Sequence, residues 1–351
     1  MCRHLLGTPL SARVTSRHNN LNIIRFLAAL MVILSHSFSV TEGPLSPGTP
    51  LDVITQTRLS VGGVAVAVFF LYSGILIAKS CEWHKSFKQF FYKRILRIFP
   101  ELIVCVLASI FIIGLAITNL PWTEYLLHPQ SYLYLLNIVM IPVHTLPGVF
   151  VHNPYPLVVN AALWTIAAEF MCYIFCFAVY KLLKFKRSSM RNMSVVLGIV
   201  ILAYIACGHA WMLSFVRALA EFYLGMMFWV YRDRIILSKR LVLAATVLCV
   251  VLILAGQDML AMLICFPYMA LWLGWGTPCV FEHFCEKQDY SYGIFLWGFP
   301  LQQLLAHLMP GILWWQNMVI SWILAFICAY VTTHILKIVR SAFTQVRTRS
   351  V

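Results

Sequence analysis

Charge is scarce in this chain. Asp, Glu, Lys and Arg make up 11% of its 351 residues, whereas soluble domains carry roughly 25%. Acidic side chains number 12, too few to cover a soluble surface of this size. Eleven cysteines are present, yet no CxxC pair with metal-ligand spacing occurs among them. Cys105, Cys172, Cys176, Cys207, Cys249, Cys265 and Cys328 fall within apolar runs, so they read as small core- or lipid-facing residues rather than bridges or ligands. No metal is expected. An internal repeat is also lacking, and so is a processed-signal pattern. The apolar run that starts at Leu21 has no small-residue cleavage site and continues as a full span.

Apolar surface is what the chain has in abundance. Hydrophobic residues make up 61% and aromatics 14%, with a mean hydropathy of +0.84. A chain of this composition needs lipid as its solvent. The net charge of +14 would suit nucleic acid if it lay along one face. Instead the charges sit between long apolar runs, as a membrane-topology signal does, and no nucleic-acid partner is expected.

Ten stretches have the length and apolarity of membrane helices: 21–40, 61–79, 98–118, 161–180, 194–210, 213–230, 241–256, 258–277, 290–309 and 315–336. The segment 131–147 is short and carries Pro142 and Pro147, which suggests an interfacial or re-entrant piece, with an eleventh span as the alternative. Alternating sides along these spans collect Lys and Arg unequally. One side takes three before the first span, six from Lys79 to Arg97, five from Lys181 to Arg191 and four from Arg232 to Arg240. Lys287 and four more from Lys337 onward complete 23 of the 26. The other side has Arg58 alone, and Arg25 and Arg217 lie within spans. By the positive-inside rule both termini are cytoplasmic and the loop 119–160 is external. The expected fold is all-α, a polytopic membrane helix bundle of about ten transmembrane helices. A cytoplasmic segment 1–20 precedes one membrane domain, 21–337, and a basic cytoplasmic tail, 338–351, follows it.

A charge at mid-bilayer costs at least ~2.5–3.5 kcal/mol, so each one kept there calls for a reason. Arg25 and His36 are eleven residues apart, three helical turns plus about 20°, and project from one face about 16 Å apart. Singly, Arg25 would snorkel and His36 would pack; together, beside Ala28, Ala29 and Ser35, they read as a cavity lining. Glu169, in LWTIAAEF, is expected at a depth comparable to His36. There it would hold the imidazole in its useful tautomer, or pair structurally with Arg217. Arg217 and Glu221 stand at i, i+4 and would neutralise each other. Arg94 and Arg97 share a helix face at i, i+3. They suit either topological anchoring or the clamping of phosphates. Ser73-Gly74 makes a small-residue notch for a neighbouring helix or a thin ligand.

These residues sit in a recognisable order. Arg25 and His36 within LNIIRFLAALMVILSH resemble the first-span signature of the family-3 membrane acyltransferases, which O-acylate bacterial surface polysaccharides and other envelope molecules. AVAVFFLYSGILI, KRILRIFP, LWTIAAEFMCY, RALAEFYLG and DYSYGIFLWGFP follow in the family's order over nearly the whole chain. The chain departs from the pattern at Asn22, Ala67 and Gly298, where relatives often have acidic, acidic and histidine residues. It also carries no appended soluble hydrolase-like domain, so the chemistry is expected to be completed in the membrane domain.

The resemblance implies a multi-pass protein of the bacterial inner membrane. It would move an acyl group from cytoplasmic acyl-CoA, with acetyl-CoA as the expected co-substrate, to a hydroxyl of a carbohydrate or lipid-linked glycan; no bound cofactor is expected. In that picture Arg94, Arg97 and Arg25 hold the donor phosphates, and Ser73 borders the pantetheine path. His36 acts as general base, or as a transient acyl carrier, and Glu169 orients it. Trp164 or Arg217 stabilises the oxyanion, and Ser291 belongs to the conserved-order block near the site. The rival reading is a proton-coupled exporter of a polar solute, which should show related halves with interrupted helices.

Overall fold

A computed structural model describes residues 7–16, 18–56, 58–83, 86–206, 213–279 and 288–349. Each of the ten apolar stretches is helical, although residues 207–210 of the fifth lie outside the described residues. The helices are α1 (Leu21–Glu42), α2 (Val61–Trp83), α3 (Phe87–Ile117), α4 (Leu163–Leu183), α5 (Arg187–Ala206), α6 (Leu213–Val230), α7 (Lys239–Leu254), α8 (Asp258–Gly276), α9 (Ser291–Leu308) and α10 (Trp314–Arg349). Among the described residues six of them, α1, α2, α3, α4, α8 and α10, have segments long and apolar enough to cross a membrane. The start of α3 differs most from expectation. It begins at Phe87 rather than near 98, because its first turns are an amphipathic basic segment with too little apolar surface to register as a span. Residues 131–147 form a short helix, Pro129–Leu133, then a 3-10 turn, Tyr134–Val139, and then leave helical geometry.

The chain divides into two compact units. The first comprises residues 1–28, 51–90 and 168–287. Its axis is the crossing of α2 and α6 at two glycines. A Cβ on Gly74 would lie 2.1 Å from the Phe222 carbonyl oxygen, and one on Gly225 would lie 2.2 Å from that of Leu71. Small residues let the two backbones touch, the usual way for helices to associate in lipid, where hydrophobicity supplies no drive. The Tyr72 hydroxyl donates to the Ala270 carbonyl of α8 at 2.8 Å, and its ring meets Trp275 edge-on. Near the start of the chain β1 (Thr8–Pro9) pairs antiparallel with β2 (Ile236–Leu237), tying the N-terminal segment to the connection between α6 and α7.

The second unit comprises residues 29–50, 91–167 and 288–351. Here α9 is the central element, nearly all of it buried. Gly293 packs against Ala329 of α10, and Gly298 against Ile33 of α1; an added Cβ would meet each neighbour at 2.7 Å. Pro300 lies inside α9. A proline donates no N–H, so the carbonyl four residues earlier, that of Leu296, loses its helical partner. The Asn160 amide donates to that carbonyl at 3.1 Å. The connection between α3 and α4 is stapled to α9 a second time by Gln303, whose amide donates to the carbonyls of Tyr155 and Val158 at 2.8 and 2.6 Å. Polar side chains thus hold a long loop against an apolar helix at the points where backbone groups need partners.

Candidate active site

His36 lies on α1 in the second unit. Its ring stands edge-on to Phe299 of α9, centroids 5.1 Å apart. Tyr155, from the loop that Gln303 staples, meets the same Phe299 ring edge-on at 5.8 Å. Val40, Phe299 and Ala306 form a small buried cluster beneath Tyr155, Val158 and Ala161. The half-buried imidazole therefore packs against a mainly apolar wall, and a tyrosine from the stapled loop shares the same Phe299 ring.

Toward the start of α9 the same unit gathers charge. Arg97 of α3 pairs with Asp289 at 3.5 Å, and the Ser291 hydroxyl donates to the Asp289 carboxylate at 2.6 Å. The Ser291 backbone N–H donates to the same oxygen at 3.0 Å. Asp289 thereby fixes both Arg97 and Ser291, two residues singled out in the sequence, while Asp289 itself was not. The signal was present in DYSYGIFLWGFP, where an Asp two residues before a serine can accept the serine's backbone N–H in an Asx turn. Arg97 is exposed and Arg94, one turn earlier, is half-buried. Further along α3, Glu101 accepts from the Thr333 hydroxyl of α10 at 3.1 Å; this intramembrane carboxylate also escaped the sequence reading. Trp164 stands half-buried in the first turn of α4.

The remaining candidates belong to the first unit. Ser73 donates its hydroxyl to the Glu169 carboxylate in a short hydrogen bond, and the Tyr173 hydroxyl donates to the same oxygen at 2.6 Å. The partners of Glu169 in this unit are hydroxyls. Ser73 thus orients a carboxylate, and the notch at Gly74 is filled by the α6 backbone. The Arg25 guanidinium lies over the Phe69 ring at 5.8 Å. Arg217 reaches Gly63, where a Cβ would come within 2.5 Å of its Nη2. One turn on, Glu221 is fully buried and neither carboxylate oxygen accepts a hydrogen bond. His36 belongs to the second unit and Glu169, its expected partner, to the first.

Comparison with known proteins bears on what such an arrangement does. The chain is 27% identical to an "O-acetyl transferase" of Shigella phage Sf6 over 305 residues, 83% of this chain and 86% of the relative. It is 29% identical to "Nodulation protein 10" of Rhizobium leguminosarum bv. viciae over 178 residues, 47% of this chain and 45% of that one. No solved structure matches. The family model described as "Acyltransferase domain" matches residues 18–339, and with nearly all of the chain inside that match this is an acyltransferase of family 3.

Proposed function

We propose that the protein transfers an acetyl group from acetyl-CoA to a hydroxyl of a cell-envelope carbohydrate, with His36 as the general base. What supports this reading most is the layout along α9. A cationic group at Arg97, with Arg94 one turn away, stands at one end of the helix. Phe299, whose ring His36 of α1 meets edge-on, follows eight residues after Ser291, about 12 Å along the axis. The donor is anionic at its nucleotide and reactive at the far end of a narrow pantetheine arm. Arginines clamp phosphates through paired N–H donors, and the arm then runs along the helix toward the imidazole. His36 takes the proton of the acceptor hydroxyl as its oxygen attacks the thioester carbonyl. The tetrahedral adduct collapses with loss of the C–S bond, and the imidazolium returns the proton to the departing thiolate of coenzyme A. The balance is one ester and one thiol from one thioester and one alcohol.

The charge pattern of the loops makes the arginine end cytoplasmic, where acyl-CoA is made, and the Phe299 end external, where envelope glycans lie. The name of the phage relative, an O-acetyl transferase, supports both the acetyl group and the oxygen acceptor. The test is incubation of purified full-length protein with acetyl-labelled acetyl-CoA and envelope carbohydrate from the host cell. Label in the glycan, released by mild base as an ester is, supports the proposal; label that stays in acetyl-CoA or free acetate with every envelope fraction refutes it.

A further inference from the structure

Phe326, Tyr330 and His334 stand at i, i+4 and i+8 on α10 and make one ridge of that helix. The rings of Tyr330 and His334 are stacked, centroids 3.9 Å apart with 30° between their planes. His334 Nδ1 lies 2.8 Å from the Tyr330 carbonyl. A carbonyl only accepts, so Nδ1 carries the proton and the bond holds the imidazole in place. Tyr290, just before α9, joins the same group. Its ring lies 6.0 Å from Tyr330 at 33° and meets Phe326 edge-on at 5.6 Å. Tyr290 is itself fixed between Asp289 and Ser291, which are hydrogen-bonded to each other.

This ladder of rings is open to its surroundings. Tyr330 is 46% exposed and Phe326 39%, while Tyr290 and His334 are half-buried. Its depth follows from α10, which starts at Trp314. Tyr330 and His334 lie about 24 and 30 Å along the axis from there, across a hydrocarbon core of roughly 30 Å. The ladder therefore stands at the boundary that the loop charges make cytoplasmic. A cation stands by each end of it. Asp289, next to Tyr290, pairs with Arg97, and the exposed Lys337 follows His334 at i+3. Interfacial belts also use tyrosine, but acyl chains and headgroups ask for no stack of phenol on imidazole. These four rings gather at the corner that holds Arg97.

We infer that Tyr290, Tyr330 and His334 form the subsite on which the adenine of the acyl-CoA donor stacks, with Arg97 and Lys337 meeting phosphates of the same nucleotide. A purine has a broad π-face and stacks on aromatic side chains. Rings already held by their neighbours lose little freedom when it arrives, and cations on either side suit a ribose that carries phosphate at both its 3′ and 5′ positions. The inference rests on the acetyl-transfer reading and deepens it by giving the base of the donor a place beside the arginines.

The test measures binding of adenosine 3′,5′-bisphosphate, the nucleotide half of the donor, to full-length protein in lipid nanodiscs by calorimetry. Tyr330→Ala and His334→Ala each remove a stacking face and should weaken binding about five- to hundredfold. Tyr330→Phe keeps the ring and should bind as the wild type does. An 8-azido derivative of the same nucleotide, photolysed on the wild-type protein, should label the peptide carrying Tyr330 and His334 or the one carrying Tyr290. No binding to the wild type, wild-type affinity in both alanine variants, or label confined to other peptides overturns the inference. Lower melting of the alanine variants at unchanged affinity does so too, and makes the rings interfacial anchors. Nucleotide binding that follows the rings, in a protein that moves no acetyl group from acetyl-CoA, refutes the acetyl-transfer reading alone.

Discussion

Arg97→Gln separates two roles that one arginine can play. As a structural group, Arg97 contributes its pairing with Asp289, whose side chains are 40% and 27% exposed at 3.5 Å separation. Ion pairs that open to solvent contribute roughly 0.2–1 kcal/mol, and the Gln side chain keeps the aliphatic packing. A melting shift of no more than a few degrees is expected. As a donor-site group, Arg97 would make a charge-assisted bond to a phosphate, worth about 1.5–3 kcal/mol. Its loss should raise KM for acetyl-CoA roughly tenfold to hundredfold, with turnover at saturating donor near wild type. The donor lacking its 3′-phosphate supplies a second arm, since it should be penalised less by the variant if Arg97 holds that phosphate. Asp289→Asn completes the cycle: it leaves the cation in place but releases Arg97 and Ser291 from their common anchor. Kinetics at varied acetyl-CoA, alongside thermal melts in the same detergent, measure both quantities. An unchanged donor KM in Arg97→Gln, with the melt intact, would refute a phosphate role and leave Arg97 as a topological anchor.

Other outcomes follow from the same geometry. His36→Ala should lower turnover by roughly 10²–10⁴-fold at unchanged donor affinity, read as specific activity per folded molecule. Loss of protein level with full activity in the survivors would make His36 a packing residue. Gly74→Ala forces a methyl to within 2.1 Å of the Phe222 carbonyl and should destabilise the α2–α6 crossing by about 1–3 kcal/mol. Gly198→Ala in α5, where an added Cβ would meet nothing within 4 Å beyond its own turn of helix, should be neutral or stabilising by up to about 1 kcal/mol; comparable melting losses in the two would sink the packing account. Reporter fusions should place loop 119–160 outside and the connection 231–238 inside, and an internal 119–160 loop would invert the donor and acceptor ends of α9.

Lipid solvation, helical segments and candidate charges were legible from the sequence because each is a local or compositional property. A run of apolar residues must hide its backbone polar groups in helices wherever it packs, so the described parts of all ten stretches are helical, six of them long and apolar enough to cross a membrane. Arg25, His36, Glu169 and Arg217 stand out because a charge amid apolar residues is costly in lipid whatever its partner. Partner identity is another matter. Ser73-Gly74 reads as a notch open to a neighbouring helix or a thin ligand; the structure puts the α6 backbone against Gly74 and the Ser73 hydroxyl on Glu169. The serine and the glycine have the same local signature in either case.

Polar residues without charge show the limit most clearly. Gln302, Gln303, Asn153, Asn160 and Asn317 raise no alarm in a hydropathy profile, yet all are buried. Gln303 staples a loop, Asn160 caps the carbonyl that Pro300 leaves open, and Gln302 joins α1 to α9. Their meaning depends on which backbone groups from distant segments arrive unpaired. The sequence alone determined that this chain is helical, lipid-solvated and charged at a few telling depths, since those properties follow from each residue's own transfer energy. Tertiary structure decided which hydroxyl meets which carboxylate and which amide caps which carbonyl, because hydrogen bonds are satisfied between segments and no periodicity within one segment encodes them.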